Sequence, residues 1–118
     1  MGGPLQIAKL WGDRDEGPEY GMLLKFPPGF DSGLHAHSAD YHAVAVQGPW
    51  VHTIEGDTTP GKELTPGSSV FQPGKQMHDD LCKAGKTECI VFVHQHAKGD
   101  FIPKKTDARV AEKPAEKK

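Results

Sequence analysis

Four histidines are spaced so that they could share one metal ion. His35, His37 and His42 follow closely on one another, and His78 comes after a Gly/Pro-rich turn. Neutral imidazole is the commonest protein ligand for transition metals. By softness and geometry the set His35, His37, His42 and His78 suits one divalent ion of Fe, Zn, Ni, Cu or Mn. The first three stand in Gly29-x5-His35-x-His37-x4-His42, the fourth in Gly67-x5-Pro73-x4-His78. A lone His-x-His arises by chance, whereas histidines in two segments with glycines at fixed offsets point to a built site. With four ligands bound, an octahedral ion keeps two open positions and a tetrahedral ion none, which separates a catalytic from a structural centre. The other reading is interior or surface histidines that bind nothing.

The elements that must position these side chains read as strands. Gly and Pro make up 24 of 118 residues and recur at short intervals, for example at Pro27-Pro28-Gly29, Gly48-Pro49, Thr65-Pro66-Gly67 and Pro73-Gly74-Lys75. Between the turns lie strand-length runs at 6–11, 20–26, 33–38, 42–47, 50–55, 69–72 and 88–95. This punctuation predicts an all-β sandwich or barrel, and no stretch carries the 3.6-residue apolar period of a long helix. Side chains two apart on a strand share a face, so His35 and His37 point the same way. A hairpin from 33–38 into 42–47 would bring His42 to them, and barrel closure would bring His78 from a more distant strand pair.

A chain of 118 residues makes one domain. Its longest apolar run, at 90–93, is too short to cross a membrane as a helix. No secretory leader is visible at the start as written. The net charge of -2 is uneven: residues 103–118 carry +3 and the rest −5. An acidic body repels a phosphate backbone, which argues against nucleic-acid binding. The expected organisation is one domain over 1–102 and a polar, flexible tail over 103–118. Cys82 and Cys89 flank a polar connection containing Gly85. They either pair across a hairpin, as suits the periplasm, or remain reduced and partly buried in the cytoplasm.

The two histidine segments resemble the two motifs of the cupin superfamily, G-x5-HxH-x3,4-E-x6-G and G-x5-PxG-x2-H-x3-N. Gly29, His35, His37, Gly67, Pro73 and His78 fall in register. Leu10-Trp11-Gly12-Asp13, His37-Ser38-Ala39-Asp40-Tyr41-His42 and Phe92-Val93-His94-Gln95 further resemble the DUF4437 type, some of whose members are named acetylacetone dioxygenase-like. The resemblance implies a double-stranded β-helix, a jelly-roll barrel with one metal inside, and often a homodimer. His42 stands where the motif places Glu, Gly48 comes one residue early, Gly74 follows Pro73 directly, and Cys82 replaces Asn. Exchanging Glu for His leaves a divalent site at +2 rather than +1, which favours anions or enolates.

Ligating imidazoles need an acceptor for their second nitrogen. Asp40, Gln72 and backbone carbonyls are candidates. Tyr41, Phe71 and Met77 either line a pocket or belong to the core. His52, His94 and His96 either supply a base or are structural, and Asp79-Asp80 reads as a solvated turn or as outer support for the metal. No G-x-S-x-G elbow or P-loop is present. The resulting functional expectation is a metal-dependent, dioxygenase-like oxidoreductase on a small oxygenated or enolisable molecule. The competing one is a non-catalytic metal- or ligand-binding cupin, a sensor or storage module.

Overall fold

Alternating burial builds the molecule. In the computed structural model, which describes residues 5–13, 15, 18–56 and 62–104, ten strands and no helix are present among the described residues. They are β1 Gln6–Trp11, β2 Tyr20–Phe26, β3 His35–Ala36, β4 Tyr41–Gln47, β5 Trp50–Ile54, β6 Glu63–Leu64, β7 Ser69–Gln72, β8 His78–Cys82, β9 Cys89–Gln95 and β10 Ile102–Pro103. β9 buries Cys89, Val91, Val93 and Gln95 and leaves the residues between them half-buried. β4 buries Tyr41, Ala43 and Ala45 and turns His42 and Val46 outward. This period of two is what a sheet with one face on the core requires.

Two antiparallel five-stranded sheets result, ordered β1-β2-β9-β4-β7 and β10-β3-β8-β5-β6. Their inner faces enclose a core of Tyr20, Met22, Phe26, Trp50, Val91 and Val93, among others. Burying a large aliphatic side chain is worth about 1.5–3 kcal/mol relative to exposure. The expected all-β class and most of the expected strands are observed.

The hairpin expected from 33–38 into 42–47 does not form. β3 lies in one sheet and β4 in the other, so the chain crosses the sandwich between His37 and Tyr41. β3 pairs instead with β8, with His35 directly opposite His78. The cysteines are bonded, with Cα atoms 5.8 Å apart. They do not face each other across one hairpin ladder: Cys82 ends β8 and Cys89 begins β9, so the bond ties the two sheets together.

Two tight turns hold this arrangement. Gly48 follows the bulge of β4 with φ 87°, and a Cβ there would lie 2.4 Å from the Glu88 carbonyl oxygen. A Cβ on Gly74 would lie 2.4 Å from the Ser38 carbonyl oxygen. That close approach lets Gly74 N–H donate to Asp40 (2.7 Å) and Lys75 N–H donate to the His37 carbonyl (2.6 Å). Lys75 is left-handed at φ 66°, at the position where the cupin motif carries glycine. The ladder runs past 102: Pro103 is opposite His35, and Lys104 N–H donates to Leu34. The remainder of the expected 103–118 tail lies outside the described residues.

Candidate metal centre

Three histidines converge inside the sandwich. Pairing of β3 with β8 sets the His35 and His78 ring centroids 4.4 Å apart, and His37, two residues after His35, lies 5.1 and 5.4 Å from them. One ligand nitrogen from each lies within 4.8 Å of the others. Each Nδ1 is committed to a backbone carbonyl: His35 to Gly33 (2.8 Å), His37 to Asp100 (2.6 Å) and His78 to Gln76 (3.0 Å). A carbonyl only accepts, so each Nδ1 carries hydrogen, and in the neutral ring Nε2 presents its lone pair. The donor set therefore fits a divalent transition ion, with ring orientation and tautomer fixed by the backbone. Burial, helped by the neighbouring rings of His35 and His52 and opposed by Asp80, lowers the His78 pKa to about 3. His78 is thus neutral, as a ligand must be.

A polar network backs the triad. Asp80, two residues after His78 on the same face of β8, is buried. Its Oδ1 accepts from Trp50 Nε1 (3.0 Å) and His52 Nδ1 (2.7 Å). Its Oδ2 lies 3.7 Å from His35 Nε2 and 3.8 Å from His78 Nε2. His52 Nε2 meets Gln72 Oε1 at 2.7 Å, and the Gln72 amide nitrogen donates to Pro73 and Gln76, which fixes which end of the amide faces His52. Both His52 nitrogens thus donate. Burial disfavours that charged ring, but Asp80 and Gln72 outweigh burial and raise its pKa. Burial would likewise raise the Asp80 pKa, yet the charged His52 ring bonded to its Oδ1 holds it well below the usual carboxylate range. Tyr41 OH lies 3.2 Å from His78 Nε2. Burial, with the Asp80 charge, pushes its pKa well above 10.0, so it remains a donor.

Two of the three histidines, His35 and His37, border a cavity of about 70 Å³. Met22, Leu24, Phe26, Phe30, Val91 and Val93 are among its apolar wall; Ser32, His35, His37, Tyr41, Asp80, Gln95 and Asp100 are among its polar residues. The segment after β9 closes one end: Phe101 stacks on His35 with centroids 4.8 Å apart, while Asp100 binds His37 through its carbonyl and the Ser38 N–H through its carboxylate.

Over residues 5–118 the sequence matches a domain family described as a domain of unknown function (DUF4437). The chain belongs to the DUF4437 family. No curated protein matches it in sequence. Similar solved structures include KdgF from Halomonas sp., 20% identical with TM-score 0.62 over 79% of this chain and 81% of that one. Another is an RmlC-like cupin from Shewanella frigidimarina, 22% identical with TM-score 0.65 over 83% and 81%. Recombinant oxalate oxidase in complex with glycolate is 18% identical with TM-score 0.68 over 85% of this chain and 55% of that one. With the two-sheet topology, these likenesses show that the DUF4437 domain has the cupin jelly-roll fold.

The structure brings together His35, His37 and His78 but not His42. Alternation along β4 points Tyr41 inward and His42 outward. His42 is exposed, its Nδ1 2.8 Å from His96 Nε2 and its ring against Phe71. The cupin motif allows three or four residues between its second His and its Glu, and here the inward place falls to Tyr41. His94 also sits on the outer face, bonded to Glu19 (2.7 Å). Of the candidate orienting groups, only backbone carbonyls hold ligand rings; Asp40 holds Gly74, and Gln72 holds His52. Asp80 is a buried strand residue rather than part of a solvated turn. Asp100 and Phe101 carry no sequence signal, whereas Asp80 is read in the sequence as either a turn residue or outer support for the metal. The one signal for Asp80 was its i+2 spacing from His78, which carries weight only once that segment is read as a strand.

Proposed function

We propose that this DUF4437 domain is a mononuclear metal-dependent enzyme, dioxygenase-like, acting on a small oxygenated or enolisable molecule. The observation that carries this reading is the convergence of three Nδ1-anchored imidazoles, two of which, His35 and His37, line a small, mostly apolar cavity. A divalent transition ion held by His35, His37 and His78 would supply Lewis-acid polarisation of a bound oxygen. The chain's own groups do the rest. Tyr41 keeps its proton and offers an O–H beside the donor nitrogens, where it can hold a substrate oxygen. Met22, Leu24, Phe26 and Phe30 take the apolar part and exclude water. Phe101 stacks on His35 and limits access from its side. The cavity volume suits a molecule of a few heavy atoms rather than a polymer. That a protein of this fold was solved as an oxalate oxidase with glycolate bound supports a small oxygenated ligand.

The homodimer implied by the resemblance belongs to the same proposal. The Cys82–Cys89 bond supports an oxidising compartment such as the periplasm. The functional test is elemental analysis of protein purified without added metal, followed by oxygen-uptake assays on β-diketones. Bound iron with oxygen consumption is expected; zinc without turnover on any small oxygenated compound would favour a non-catalytic binding protein instead.

A further inference from the structure

We propose that Asp80 is the carboxylate donor of this centre, its Oδ2 completing the His35–His37–His78 set from β8 in place of the motif glutamate of β4. This role rests on the metal reading of the triad. β4 offers no inward acid, because Tyr41 occupies the inward position and His42 faces out. Strand alternation on β8 puts Asp80 on the face of His78, and its Oδ2 stands 3.7 and 3.8 Å from two Nε2 atoms. With both Nδ1 hydrogens given to carbonyls, those Nε2 atoms face the oxygen as lone pairs. Neutral rings and a carboxylate oxygen repel at that distance, and a cation bound among them turns the repulsion into attraction. Neighbouring ligands on one ion lie about 3–3.6 Å apart at bond lengths of about 2.0–2.2 Å, and the donor atoms already within 4.8 Å of one another are those of the three histidines, so ligation has to draw Oδ2 inward toward the triad.

The other half of the carboxylate is built for this task. Oδ1 is held by Trp50 and His52, which fixes the plane of the group and leaves Oδ2 turned toward the triad. Ligating carboxylates are commonly hydrogen-bonded in this way. Ser32 Oγ receives the Asp80 backbone N–H at 3.0 Å and also lies 3.2 Å from His35 Nδ1, so one hydroxyl braces two donors. The donor set becomes three nitrogens and one anionic oxygen. A divalent ion there carries net +1, not the +2 of an all-imidazole site, and the oxygen widens the range toward Mn and Fe.

The test is titration of metal-free protein with Co2+, following the visible d–d bands and competing with a chelator, on wild type and on Asp80→Asn. Asn keeps the size and an Oδ1 acceptor but loses the charge. The expected result is one Co2+ per wild-type chain, at least about tenfold weaker binding in the variant, and shifted bands. A folded Asp80→Asn with affinity within about twofold and unchanged bands overturns the assignment and leaves the histidine triad standing. Wild type that binds no Co2+ or zinc overturns both. Should Asp80→Asn not fold, a crystal structure of zinc-loaded wild type decides: Oδ2 within about 2.2 Å of the ion supports the assignment, and Oδ2 beyond about 3 Å overturns it.

Discussion

Reducing the Cys82–Cys89 bond frees the end of β8 from the start of β9, which lie in opposite sheets. The cysteines are seven residues apart in sequence. In the chain-entropy description, cross-linking a loop of that size restricts the unfolded chain by about 2.5 kcal/mol at 25 °C. Both cysteines have 0% exposure, so reduction leaves two dry thiols and opens no cavity; the loss should be close to the loop term. For a domain of this size that is about 10 °C in Tm and about 1–2 M in urea midpoint. The assay is urea unfolding of metal-free protein with and without dithiothreitol, followed by tryptophan fluorescence, since Trp50 is buried in the core. The double variant Cys82→Ala/Cys89→Ala should fall by a similar amount and not respond to reductant. A change under about 0.5 kcal/mol would refute the reasoning, because it would mean the turn between β8 and β9 is already closed in the unfolded chain.

His42→Ala should leave metal content unchanged, as read by elemental analysis, because the ring points out of the sandwich. Gly48→Ala should cost more than about 2 kcal/mol in chemical denaturation, from a positive φ and a collision with the Glu88 carbonyl acting together. Metal-free protein should be least stable in acid. The folded His78 pKa is about 3 against about 6.5 unfolded, so the native state binds fewer protons between those values and stability rises with pH across them. Asp80, lowered in the folded state, acts with the same sign, its contribution lost as pH falls. His52, raised, acts oppositely: its contribution is complete below the ordinary imidazole pKa and is lost as pH rises through its folded value. A urea midpoint at about pH 4.5 equal to or above that at about pH 6.5 would contradict this account.

Strand positions were legible wherever alternation ran long between turn residues. β1, β2 and β7 match the expected runs, and β9 begins one residue later than expected. β6 and β10 are two-residue ladders, too short for periodicity to register, and of the expected run 33–38 only His35–Ala36 pairs as β3. β8 was missed because His78-Asp79-Asp80-Leu81-Cys82 reads as polar; its inward positions are His78, Asp80 and Cys82, a site and a disulfide rather than an apolar stripe. Without that strand, Asp80 could not be told from a solvated turn residue. That His35 and His37 share a cluster is legible from spacing and strand parity, and that His78 joins them from its motif spacing and the cupin resemblance. The side to which His42 points did not, since parity is set within a strand and the crossing between His37 and Tyr41 resets it. Asp100 and Phe101 reach the site through the late pairing of β10 with β3, a contact between distant segments that local pattern does not encode.

The most direct measurement is the transition-metal content of wild type and of His37→Ala, purified without added metal, incubated with excess zinc and desalted. One ion per wild-type chain and almost none in the folded variant is the result expected if three imidazoles hold a single cation between the sheets. Equal metal content in the two proteins, or none retained by wild type, would contradict it.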